Sequence, residues 1–372
     1  MNPRVLEIES SVIRAIAAKR RPTSIDLGLG EPSLRPNAAH FGRALRHIEA
    51  HGIKYSANAG DPALREAIAR HYDYPGMHEE RNVCVTTGSQ EAMYVTIKTL
   101  LDPARDELLI VEPTFPSYAK MARLEGIAAR GVEMSAAGDF AIDAERIVAA
   151  IGERTRAIVI CSPNNPTGRV LHRDQAELLV SALERRDGDP IWLIHDEIYR
   201  EQTFIDDEAY LGERYPHTIV TNSLSKSNAL TGLRLGWIIG PAAFVEQAIK
   251  AHAWITSCAD TFAQQVALNV FTELGGVMEH VSWYRKQQAG VVKLLERSGL
   301  HYIPPEGSFY ACVRLPDGMP SYDAAVQLAE EHDVIAIPGI AFGKSFEGWL
   351  RLSWVASLEH VREGLARIAK LR

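Results

Sequence analysis

From about Arg81 onward the chain repeats one pattern: a short apolar run, a longer segment of helical periodicity, then another apolar run. The strand candidates are Asn82 to Thr86, Glu107 to Val111, Ala157 to Cys161, Ile191 to His195, Thr218 to Asn222 and Gly236 to Gly240. Several are near-continuous apolar runs rather than alternations with polar residues, as expected of strands covered on both faces. Helical patterns such as Gln90 to Leu101 and Arg173 to Arg186 lie between them and supply that cover. This alternation predicts an α/β domain with a mostly parallel sheet. In such sheets ligands bind at the carboxyl ends of the strands, so the residues that follow each run are the ones to read for chemistry.

After about Thr261 the pattern changes. A long helical stretch, interrupted near Gly275-Gly276, runs to about Ser298; shorter strands and helices follow, and a helix from Leu358 to Leu371 closes the chain. Pro3 to Ala18 reads as one amphipathic helix, followed by a short extended segment, Ile25 to Pro32, that ends in a turn. The 372 residues suit two domains or one large one. The expected division is a large domain over 40–265 and a smaller α+β domain formed by 1–39 together with 266–372, with the site where the two meet.

A net charge of -7, and no basic patch beyond Lys19-Arg20-Arg21, argue against a nucleic-acid partner; that short run reads as a solvated helix end. No apolar run is long enough to span a bilayer, and the first residues lack the pattern of a signal peptide. Cys84, Cys161, Cys258 and Cys312 are far apart, which fits buried free thiols in a reducing cytoplasm. His47 and His51 have helical i,i+4 spacing but lack the glutamate of a HExxH motif and a third ligand, so no metal site is expected.

The chemistry concentrates around Lys226, in Ser223-Leu224-Ser225-Lys226-Ser227 through Arg234-Leu235-Gly236. Apolar runs on either side predict strand, exposed turn, strand. An amine with hydroxyls and an arginine close by suits pyridoxal 5'-phosphate (PLP): the amine forms a Schiff base with the aldehyde while arginine and serine hold the phosphate. A surface lysine in a polar turn is the plainer alternative. Thr87-Gly88-Ser89-Gln90 follows a strand and opens a helix, which makes it either an anion site or an ordinary N-cap in which Ser89 satisfies the first turn. No GxGxxG follows a strand, which excludes the dinucleotide fingerprint.

Asp196 ends an apolar strand. Beside a pyridine nitrogen its carboxylate would favour the protonated ring; otherwise it is a helix cap. Tyr199 and Asn165, the latter in Ser162-Pro163-Asn164-Asn165-Pro166-Thr167-Gly168, offer hydrogen bonds to the ring's phenolic oxygen, and Phe115 offers a stacking face. Arg351, on the alternating segment Trp349 to Ser353, needs an acidic partner, either a substrate carboxylate or a structural ion pair.

Together these segments resemble the class I/II aminotransferases, PLP enzymes of fold type I related to aspartate aminotransferase. The resemblance runs from Gly28-Leu29-Gly30-Glu31-Pro32 to Arg351-Leu352-Ser353, with the NNPTG loop, DEIY and SLSKSNALTGLRLGW in the family's order. It implies a mostly parallel seven-stranded sheet between helices. It also implies that Lys226 is the Schiff-base lysine, and that Ser89, Gln90, Ser223 and Arg234 hold the phosphate. Asp196 becomes the pyridinium partner, Tyr199 and Asn165 the phenolic-oxygen partners, and Phe115 the stacking ring. Arg351 and Gly30 become the α-carboxylate site, with Asn165 beside them. Tyr55 matches a tyrosine that the family donates to the neighbouring subunit's phosphate, which implies a homodimer with shared active sites.

The chain departs from the family at Ser33-Leu34-Arg35, where many relatives carry Asp-Phe at the substrate entrance. The expected activity is ping-pong transamination between an L-amino acid and a 2-oxo acid, with 2-oxoglutarate the default acceptor. A carbon–sulfur β-lyase on the same fold is the alternative. A PLP-sensing regulatory domain is more distant, since the amino-terminal arm is too short for a winged helix.

Overall fold

The computed structural model describes residues 1–273 and 276–371. A two-residue strand, β1 (Ile25–Asp26), precedes the main sheet. The apolar runs then become β2 (Val83–Thr86), β3 (Glu107–Glu112), β4 (Ala128–Glu133), β5 (Thr155–Cys161), β6 (Trp192–Asp196), β7 (Thr218–Asn222) and β8 (Gly236–Ile239). They form one seven-stranded sheet in the order β2-β8-β7-β6-β5-β3-β4. Only β8 runs against its neighbours; the pairings β7·β6, β6·β5, β5·β3 and β3·β4 are parallel.

The centre of this sheet is dry. Ile158, Ile160, Leu193, Ile194, Ile219 and Val220 are fully buried, and each contributes about 1.5–3 kcal/mol of hydrophobic stabilisation. The sequence pattern misses β4. Its Ala-Ala-Arg-Gly-Val-Glu run is exposed except at Val132, as suits an edge strand whose outer row of backbone groups faces solvent. Arg130 ties it to β3 through Glu107 at 2.8 Å.

The second sheet comes from the C-terminal part. β9 (Tyr302–Ile303), β10 (Tyr310–Arg314), β12 (Ile337–Pro338) and β13 (Trp349–Ser353) pair in the order β12-β13-β10-β9, while β11 (Val334–Ile335) takes β1 as a parallel partner. The amino-terminal segment is thereby joined to the C-terminal part. Residues 39–40 and 265–266 fall inside helices, Ala38–His51 and Thr261–Thr272. The second of these packs on the first and on the helix Pro62–Tyr72, so it travels with the large sheet.

Three further expectations change. The segment Pro3 to Ala18 is two helices, Pro3–Leu6 and Val12–Ala17, because Ser11 caps the second by accepting from the Arg14 N–H. A side-chain oxygen that offers the backbone a local partner ends one helix and starts another. The Lys19-Arg20-Arg21 run is not simply solvated: Lys19 pairs with Glu330, Arg20 with Asp26, and Arg21 donates to the carbonyls of Ala329 and Glu330. The long helical stretch after Thr261 resolves into Thr261–Thr272 and Val281–Ser298; Gly275, where the interruption is expected, lies outside the described residues. The closing helix ends at Ile368.

Candidate active site

The loops that leave β2, β3, β5, β6 and β7 converge at one edge of the sheet, which the parallel pairing dictates. Lys226 follows β7. It stands on a four-residue helix, Leu224–Ser227, rather than on an exposed turn; Leu224, Ser225 and Ser227 are buried and Lys226 is half-buried. Ser223 caps this helix, its hydroxyl accepting from the Ser225 N–H at 3.2 Å. Gln202 Nε2 and the Tyr284 hydroxyl both donate to the Lys226 carbonyl, at 2.8 and 2.9 Å, and fix its backbone. Among the described residues the amine itself has one hydrogen-bond partner, the carbonyl of Gly30 at 2.5 Å. Burial, with Arg351 adding repulsion, lowers its pKa to about 8.

Asp196 is the last residue of β6 and is buried. It caps no regular helix. Its carboxylate accepts from the Tyr118 hydroxyl at 2.6 Å and from the Ile198 N–H at 3.2 Å. Burial raises its pKa, and the Tyr118 hydrogen bond opposes that rise. The next residue, Glu197, is buried too, yet Arg200, His195 and Tyr74 hold its carboxyl at about 2. Arg200 in turn lies over the Tyr210 ring, 3.7 Å from its centre.

Ser89 and Gln90 open the helix Gly88–Leu100, whose N-cap, Thr87, makes no side-chain cap. Among the described residues Ser89 caps nothing; the Thr87 N–H donates to the Glu91 carboxylate instead, and a helix N-terminus is a place where an anion can bind. Arg234 enters β8 with a left-handed backbone, φ 52°. That turn lays its guanidinium against Gly88 so closely that a Cβ on Gly88 would strike it.

The substrate side comes from the smaller sheet. Arg351, on β13, is buried; it donates to Asn165 Oδ1 at 3.1 Å and to the Gly28 carbonyl at 2.5 Å, and its Nε has no partner among the described residues. Thus Lys226 and Arg351 both reach the Gly28–Gly30 strip. The Asn165 loop is held by the Glu306 and Gly307 N–H groups, which donate to the Gly168 carbonyl at 3.0 and 2.8 Å. Tyr199 is buried, and its hydroxyl lies 3.0 Å from that of Tyr310. Phe115, half-buried, sits edge-on to Tyr118.

Tyr55 stands apart, 88% exposed, with no hydrogen bond to the other candidates among the described residues. His47 and His51 stack on one helix at 4.4 Å between ring centres. Sequence reasoning missed Tyr118, Tyr310, Gln202 and Tyr284. Of these, Tyr118 carried a faint signal, since it sits one helical turn after Phe115 in Phe115-Pro116-Ser117-Tyr118.

A seven-stranded, mostly parallel sheet with a second, smaller sheet, a half-buried amine of lowered pKa, a helix N-terminus beside an arginine and a buried carboxylate define a PLP-dependent transferase of fold type I. The residues present fit the cofactor: the first turn of the helix and Arg234 suit its phosphate, and the Lys226 amine suits its aldehyde.

Comparison with known proteins carries the assignment to the family. The family described as "Aminotransferase class I and II" matches residues 23–368. An aspartate aminotransferase of Pyrococcus horikoshii is 32% identical, over 99% of this chain and 96% of that protein. A probable N-acetyl-LL-diaminopimelate aminotransferase of Bacillus subtilis is 30% identical, over 99% and 94%. The structure of Thermus thermophilus aspartate aminotransferase with maleate superposes with a TM-score of 0.91 at 31% identity, covering 100% of this chain and 99% of that one. The chain belongs to the class I and II aminotransferases, and its cofactor is pyridoxal 5'-phosphate. Among the described residues no helix is long and apolar enough to cross a membrane.

Proposed function

We propose that this aminotransferase moves an amino group from an L-amino acid to a 2-oxo acid, 2-oxoglutarate by default, in two half-reactions that alternate at one site. The observation that carries the reading is the meeting of Lys226 and Arg351 on the Gly28–Gly30 strip. An α-amino acid presents a carboxylate and a reacting carbon one bond apart, and these two side chains match that pair.

When bound, the cofactor supplies an aldehyde for the amino group and a ring that accepts an electron pair. Lys226 anchors it in the resting enzyme. Arg351 binds the substrate carboxylate through two parallel N–H groups of one guanidinium edge, helped by Asn165 and the backbone at Gly30. The freed Lys226 Nζ takes the proton from the substrate α-carbon and later redelivers one. Asp196 keeps a proton on the ring nitrogen. Tyr199 and Asn165 attend the phenolic oxygen, and Phe115 covers the ring face. Ser89, Gln90, Ser223 and Arg234 hold the phosphate.

The domain over 40–265, extended to the end of the helix Thr261–Thr272, holds the cofactor. The smaller domain brings Gly30 and Arg351 to it. The exposure of Tyr55, Ile53 and Trp254 (88, 74 and 91%) supports a homodimer in which Tyr55 completes the partner's phosphate site. Free cysteines, three of them buried, suit a cytoplasmic setting.

The test is an absorbance spectrum of the PLP-loaded protein after single amino acids are added without a 2-oxo acid. Loss of the cofactor's aldehyde-form band with one group of donors, and its return with 2-oxoglutarate, is the expected result and identifies the donor class. Pyruvate and ammonia accumulating while that band persists would overturn the reading in favour of a β-lyase.

A further inference from the structure

We propose that Tyr310 is a positioning residue of the cofactor pocket, its hydroxyl donating to the Tyr199 hydroxyl and so aiming the Tyr199 O–H at the cofactor's phenolic oxygen. This rests on the role proposed above for Tyr199. The two hydroxyls are 3.0 Å apart and both side chains are buried. Neither hydroxyl has another hydrogen-bond partner among the described residues. Two hydroxyls hold two protons and the bond between them uses one, so the pair retains one O–H for a third oxygen. The Tyr310 hydroxyl is backed by Gly30, where a Cβ would collide with it, which favours Tyr199 as the one to present that proton.

The rest of Tyr310 is fixed as well. The Arg351 guanidinium lies over its ring, 4.2 Å from the centre. The Tyr199 ring meets it nearly edge-on, at 78°. On β10 its backbone pairs with Ser353, two residues beyond Arg351 on β13. A residue locked on three sides gives its neighbour's hydroxyl a single direction, and a hydroxyl that accepts one hydrogen bond becomes a stronger donor of the next.

The test is the pH titration of the visible absorbance of the holoenzyme in four forms: wild type, Tyr310→Phe, Tyr199→Phe and the double variant. The phenolic oxygen carries most negative charge in the high-pH form. A donor to it therefore stabilises that form, and weakening the donor raises the midpoint. Tyr310→Phe, which keeps the ring on Arg351 and so keeps the fold, is expected to raise the midpoint by roughly half a pH unit. Tyr199→Phe should raise it further, and the double variant should match Tyr199→Phe, because Tyr310 acts only through Tyr199. An unmoved midpoint in Tyr310→Phe, or additive shifts in the double variant, would overturn the inference and leave the cofactor reading standing. A wild-type protein that forms no titrating band with PLP would sink both.

Discussion

Asp196 and Lys226 leave adjacent parallel strands and end in opposite circumstances. The carboxylate is buried and held from two sides, by Tyr118 and the Ile198 N–H. The amine is half-buried and, among the described residues, donates to a single carbonyl, although its backbone is clamped by Gln202 and Tyr284. The contrast matches the two roles. A charge that must face one ring atom throughout a cycle benefits from fixed partners. A base that must release, abstract and redeliver needs a rigid root and a free tip.

The sharpest way to break the comparison is to remove the free tip. Lys226→Ala should abolish steady-state turnover while leaving the fold intact; appreciable residual turnover would refute the role. Removing the fixed partner comes next. Asp196→Ala should lower kcat about a hundred- to a thousandfold, while Asp196→Asn, which keeps one acceptor for the two donors, should recover part of the folding stability but not the rate. A fully active, cofactor-saturated Asp196→Ala enzyme would contradict the assignment.

The lowered amine pKa sharpens the account by pH. Burial takes Lys226 from 10.5 to about 8, so at neutral pH roughly a tenth of the amine is free to attack. The rate at which apoenzyme captures PLP should therefore rise about tenfold per unit below 8 and level off above it. The same shift has a stability consequence. Between 8 and 10.5 the unfolded chain holds this proton more tightly than the folded one, so apoenzyme stability gains as pH rises through that window. A capture rate that keeps rising toward the ordinary lysine range would show that the amine is not desolvated. The smallest effect is expected from Tyr118→Phe, which leaves one acceptor site on Asp196 unfilled and should cost about 1–3 kcal/mol of folding stability.

The same distinction between local and distant causes explains what the sequence revealed. Strands at the centre of the sheet were legible because burial on both faces leaves uninterrupted apolar runs, as in Ile191 to Ile194. The edge strand β4 was not, because its exposed face carries no such run. Lys226, Asp196, Asn165 and Arg351 stood out as candidates from their places at strand ends or on a strand and from the family's motifs. Tyr118 and Tyr310 did not, because each acts through a hydroxyl whose partner is 78 or 111 residues away. Local pattern reports what a residue is and which face it takes; it does not report what waits at the far end of its side chain. The amino-terminal helix failed for a related reason, a single serine cap that periodicity does not weigh.

The Lys226 amine is the proposed anchor of the cofactor. Borohydride reduction of the holoenzyme, which turns a carbon–nitrogen double bond into a stable amine, followed by proteolysis and mass spectrometry, tests it directly. The expected result is a phosphopyridoxyl group on the peptide that contains Lys226 and on no other lysine. The group on a different lysine, or no labelled peptide from a protein that has taken up PLP, would contradict it.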